Sequence, residues 1–175
     1  MNMTSEALHG KYGDEVVLGV DKSVVDGRLQ SGYTLLQNPA NGSSPLLRLL
    51  SDHLRPRLRC EAEQDASFKQ LIPYVLLRNA ANGHIYATTR LGGDSRLVGQ
   101  VSIGLGGHME DGESFVTCLL RELKEEIGLT EGDVVALRLL GFLYSEGSDV
   151  DSVHLGLVYE METLRTDVIC LETDK

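Results

Sequence analysis

Apolar residues recur at three- and four-residue spacing through Val116, Leu119, Leu120, Leu123 and Ile127, and this predicts an amphipathic helix over 114–127. Glu122, Glu125 and Glu126 fall together on another face of that helix, about one turn apart. Asp111 or Gly112 can cap its start, and Gly128 is a natural left-handed stop. Like charges at this spacing cost an isolated helix about a few tenths of a kcal/mol per pair. A compensating cation is therefore expected, and carboxylate oxygens suit a hard ion such as Mg2+. No His or Cys shares that face, which argues against zinc on it.

Around this helix the pattern changes to the period of strands. The β-branched run at 15–20 reads as a strand, with a short one around 33–36. Ser44 followed by Pro45 starts a helix that runs to Leu54 and stops at Pro56. Residues 70–78 and 84–90, joined by a Gly-containing turn, read as a hairpin, and 97–103 as a further strand leading into Gly104, Gly106 and Gly107. Strands follow at 134–144 and 153–162, with a last one expected at 168–171. Residues 1–13 read as a loose end and 14–175 as one domain.

Charge narrows the function classes. A net charge of -10 excludes a protein that grips a nucleic-acid polymer through its phosphates, but leaves a small phosphorylated ligand open. Arg55, Arg57 and Arg59 form one basic cluster, read as a solvated face balancing the acidic residues behind it rather than as a phosphate patch. Three cysteines without CxxC spacing suggest neither disulfides nor a zinc site. No secretion leader or membrane-length apolar run is visible, so a cytoplasmic protein without a membrane partner is expected.

The stretch Gly107 to Leu129 resembles the signature of the Nudix hydrolases: Gly, five residues, Glu, seven residues, then Arg-Glu-U-x-Glu-Glu-x-Gly-U, where U is aliphatic. Gly107, Glu113, Arg121, Glu122, Leu123, Glu125, Glu126, Gly128 and Leu129 fill every fixed position. A weaker likeness, from the arginine-rich segment through 70–77 to 102–108, is to a Nudix subgroup described as predicted phosphoesterases. The resemblance implies an α/β (α+β) sandwich with a mixed sheet and a central catalytic helix. It implies hydrolysis of a diphosphate bond in a small, nucleotide-derived substrate, with Mg2+ or Mn2+ as cofactor. Glu122, Glu125 and Glu126 would be metal ligands, joined by the carbonyl of Gly106, with Glu122, Glu126 and Arg121 as the catalytic set. Arg121 would pair with Glu113 or Glu122 and hold the carboxylates in place.

Family members usually close with a second helix on the other sheet face. Here the helix at 45–54, a segment beyond Lys175 or a partner subunit in a homodimer could fill that place. The general base stays open between Glu122 and the loop acids Glu146, Asp149 and Asp151. His108 could touch a phosphate or bond only its neighbours; His154 reads as structural. Tyr144 could stack on a base or belong to the core, with Phe142 on the same side. A Nudix-fold module that binds such a ligand without turnover is the alternative function.

Overall fold

The computed structural model describes residues 5–35, 44–89, 99 and 101–171. Strand β4 (Phe68–Asn79) is the axis of the molecule, because its burial is nearly continuous and it takes neighbours on both edges. On one edge it runs parallel to β9 (His154–Thr163), in register from Gln70 opposite His154 to Asn79 opposite Thr163. Parallel neighbours need a long crossover, and it is supplied here by β7 (Gly104–Gly106), α4 (Phe115–Ile127) and β8 (Val134–Tyr144). The other edge of β4 is shared: β1 (Val16–Asp21) pairs with its beginning, Gly19 opposite Gln70, and β7 with its middle, Tyr74 opposite Gly106. β8 lies antiparallel to β9, β2 (Gly32–Leu35) to β8, and β3 (Arg55–Leu58) to β1. The result is a mixed sheet in the order β2-β8-β9-β4-β1-β3.

One face of this sheet carries the main core. Leu71, Val75 and Leu77 of β4 lie beside Leu155, Tyr159 and Met161 of β9, and Phe115, Leu119, Leu123 and Ile127 of α4 complete the same cluster. Burying each such side chain contributes about 1.5–3 kcal/mol. Helix α2 (Pro45–Asp52), capped by Ser44 as the sequence predicts, adds Leu50 to that cluster. On the opposite face Val17, Phe68 and Ala62 form a small second cluster, the last from the short helix α3 (Arg59–Ala62). Among the described residues no helix is long and apolar enough to cross a membrane.

Several elements differ from the sequence reading. Residues 5–12 form helix α1 (Ser5–Tyr12) instead of belonging to a loose end; it packs on α3 with Leu8 buried, and Arg59 lies over the Tyr12 ring. The hairpin after β4 shrinks to a bridge between Arg78 and Ile85, and β5 (Thr88–Thr89) pairs with β6 (Val101–Ser102) in a separate ribbon. Residues 97, 98 and 100 of the strand expected there lie outside the described residues. Residues 168–171 are not a strand, because they meet a helix rather than a sheet edge: the Leu171 N–H donates to the Glu126 carbonyl at 2.6 Å. The arginine cluster spans β3 and the start of α3, where Arg55 pairs with Asp21, Arg57 with Asp65, and Arg59 with Glu15 and Glu63.

Candidate active site

The loop after β7 is shaped by close backbone approach. Gly106 has φ +149°, and a Cβ there would overlap the Pro73 carbonyl of β4. At Gly107 a Cβ would lie 2.5 Å from the Cδ of Glu122, so the carboxylate of that residue packs directly on the loop. At Gly106 both space and conformation call for glycine, whereas at Gly107 a side chain would have to displace the Glu122 carboxylate. From here the chain reaches α4, whose cap is Ser114, not Asp111 or Gly112. Its side chain accepts the Thr117 N–H at 3.2 Å, while Thr117 Oγ1 accepts the Ser114 N–H at 2.8 Å. This reciprocal box holds two N–H groups that the helix itself leaves unpaired. Gly128 ends the helix with φ +69°, as expected.

Cys118, Glu122 and Glu126 follow one another at four-residue intervals along the side of α4 that meets the loop. The Cys118 thiol lies 3.8 and 3.6 Å from the carbonyl oxygens of Gly107 and His108. The sequence reading places all three glutamates on one face, but their burial differs. Glu126 is only 2% exposed and Glu122 9%, whereas the Glu125 side chain is 57% exposed. The loop packed on Glu122 accounts for its burial, a contact that is not local in sequence.

Arg121 ties the cluster together. Its Nε donates to Glu113 Oε1 at 2.7 Å, Nη2 to Glu113 Oε2 at 3.1 Å and to the His108 carbonyl at 2.9 Å, and Nη1 to Glu122 Oε1 at 2.7 Å. Glu125 lies farther from Nη1, at 3.4 Å. The planar guanidinium thus serves Glu113 with a two-point fork and turns its other donors to Glu122, the His108 carbonyl and Glu125. Burial pushes the Glu113 carboxyl up, but Arg121 and the Glu110 N–H outweigh it and hold it below its ordinary range. The hydrogen bond to Glu113 chiefly raises Arg121 in turn. Burial pushes the Cys118 thiol far up, so it stays protonated and is a packing residue rather than a nucleophile. Four carboxylates (Glu113, Glu122, Glu125, Glu126) against one guanidinium leave a formal charge of minus three. Those carboxylate oxygens and the Gly106 carbonyl are hard donors of the kind that Mg2+ or Mn2+ takes.

The other candidates separate. The ring of His108 turns away from the box to His154, with Nε2 atoms 3.1 Å apart, and burial, Arg59 and His154 lower its pKa to about 2. His108 is therefore neutral and lacks the charge that would attract a phosphate. Tyr144 and Phe142 are both buried in the core, and Lys69 Nζ lies 5.1 Å from the Tyr144 ring centroid. Among the described residues that ring is nearly enclosed, with Lys69 over one of its faces. Glu146 is held by Lys22 at 2.5 Å and Lys69 at 3.5 Å, an arrangement with no sequence signal. The Asp151 carboxylate accepts from Ser145 Oγ while its backbone N–H donates to Ser148 Oγ, and the Asp149 carbonyl accepts from Ser152 Oγ. Glu63, 4.0 Å from His154 Nε2, was also beyond sequence reasoning, since 45 and 46 residues separate the three side chains Glu63, His108 and His154.

A mixed sheet, a glycine loop and a helix whose carboxylates are organised by one arginine make this an α+β protein with an acidic site on its central helix. The chain belongs to the Nudix family: the NUDIX domain model matches residues 72–168, more than half of it. Protein YmaB of Bacillus subtilis (strain 168) is 36% identical over 115 residues, covering 62% of this chain and 56% of that protein. The match thus spans about half the length of that relative. The crystal structure of Tm1382, assigned to the Nudix hydrolases, superposes with a TM-score of 0.70 at 25% identity, over 91% of this chain and 81% of that one. DR0079 from Deinococcus radiodurans gives a TM-score of 0.49 at 19% identity over 70% of each chain. The mixed α+β fold is that of Tm1382.

Proposed function

We propose that this protein is a divalent-metal-dependent hydrolase that cleaves the diphosphate bond of a small nucleoside-diphosphate-linked substrate. The observation that carries the reading is the Arg121 clamp, which fixes Glu113 and Glu122 while Glu122 packs on the glycine loop. Glu122, Glu125 and Glu126, with the Gly106 carbonyl, would hold Mg2+ or Mn2+. Such an ion neutralises phosphate charge and eases removal of a proton from water. Arg121 keeps the Glu122 carboxylate oriented against the loop, and the exposed Glu125 meets the substrate side. Among the loop acids, Glu146 is disfavoured as the proton acceptor, because the hydrogen bond from Lys22 chiefly holds it below the ordinary carboxylate range and weakens it as a base.

The test is turnover across nucleotide sugars, ADP-ribose, dinucleoside polyphosphates, nucleoside triphosphates and non-nucleotide diphosphates, with Mg2+ or Mn2+. Selective hydrolysis of a nucleoside-diphosphate-linked compound is expected. Metal-dependent ligand binding without turnover of any compound would instead make the chain a recognition module.

A further inference from the structure

We propose that Glu63, His108 and His154 form a second cation site, of the zinc class, on the far side of the catalytic loop from the box glutamates. The three come from different elements: the C-cap of α3, the loop after β7 and the first residue of β9. Their ligand atoms all lie within 4.8 Å of one another. The two Nε2 atoms are 3.1 Å apart and Glu63 Oε1 is 4.0 Å from His154 Nε2. Zinc–imidazole bonds of about 2.0–2.1 Å at a tetrahedral angle place two nitrogens about 3.3 Å apart, close to the spacing seen.

The surroundings fit a metal ligand set. His154 Nδ1 lies 2.7 Å from the Val150 carbonyl, which can only accept, so in the neutral ring Nδ1 carries the proton and Nε2 presents its lone pair to His108. Such an outer hydrogen bond is the usual way a metal-binding imidazole is oriented. Gln70 stands opposite His154 in the parallel register, on the same sheet face, and is fully buried; neither its amide oxygen nor its nitrogen has a partner among the described residues. Buried amides are rarely left so, and a hydrated ion held by His154 would bring a polar partner to that face. Arg59 is the opposing charge, with Nε 3.5 Å from Glu63 Oε1, but its Nη1 is paired with Glu15 at 2.8 Å. Glu15 and Glu63 against Arg59 leave the neighbourhood formally negative by one. Imidazole and carboxylate donors select a borderline ion such as Zn2+, unlike the all-oxygen set across the loop. Bound there, the ion fastens the loop that backs Glu122 to α3 and β9, independently of whether the box is hydrolytic.

The probe is Zn2+ alone, titrated into the chelator-stripped full chain in a large excess of Mg2+, with the imidazole nitrogens read by NMR. One equivalent is expected to shift the Nε2 resonances of His108 and His154 together. His154→Gln and Glu63→Gln should each weaken Zn2+ binding by about ten- to a hundredfold. Unmoved Nε2 resonances would overturn the site, leaving a metal-free pair in which His108 donates its Nε2 proton to His154. The resonances are those of the unmutated protein, so a variant that failed to fold would not obscure the result.

Discussion

Arg121 is the residue on which the site turns, since one side chain meets Glu113, Glu122 and the His108 carbonyl. Arg121→Lys keeps a charge but loses the fork, so kcat/KM should fall by about ten- to a hundredfold in steady-state assays. Gly107→Ala should have a comparable effect by a different route, because the new methyl group displaces the Glu122 carboxylate; near-unchanged kinetics would show that the packing of Glu122 on the loop is unimportant. Glu113 predicts a pH dependence. Its folded pKa lies below the ordinary value of 4.5, so its stabilising contribution is complete above that pH and is lost as the solution is acidified through the folded value. Urea midpoints should therefore fall with acid below about pH 4.5, and less steeply in Glu113→Gln. The spacing of these residues was legible in the chain because all of them lie on one local helix and its entry. The burial of Glu122 was not, because it is imposed by the loop at 107.

At the scale of elements, α4 is held by its two ends as well as by its core face. Ser114→Ala removes the acceptor for the Thr117 N–H and should lower stability by about 1 kcal/mol in denaturant titrations. Gly128→Ala forces a side chain into the left-handed region and toward Leu171, and should cost about 1–2 kcal/mol or slightly more. The apolar periodicity of α4, the β-branched run of β1 and the apolar stretches of β8 and β9 announced those elements directly. Helix α1 did not announce itself: among its described side chains Leu8 alone is buried, and its place comes from packing on α3. The segment at 168–171 has the composition of a strand, but the surface it reaches is the end of α4, where its backbone finds a helix carbonyl instead of a ladder.

For the molecule as a whole, the parallel pairing of β4 with β9 decides what the site can be. It brings His154 beside Gln70, and the split edge of β4, shared by β1 and β7, leaves room for the 107–109 loop to connect with both. The Met109 carbonyl closes that connection by accepting the Leu18 N–H at 2.8 Å. Contacts of this range carry no local pattern, which is why the fold class could be read from the motif while the histidine pair and Glu63 could not. The central claim is that the organised carboxylates of α4 perform metal-dependent hydrolysis. It is tested most directly by comparing Mg2+-dependent turnover of the preferred diphosphate by the unmutated protein and by Glu126→Gln, with thermal melting of both. Because Glu126 is buried, the melting curve is needed to show that the amide variant is folded. The account predicts a folded variant whose turnover is lower by about a hundredfold or more and whose Mg2+-induced rise in Tm is reduced. Undiminished Mg2+-dependent turnover by folded Glu126→Gln would contradict it.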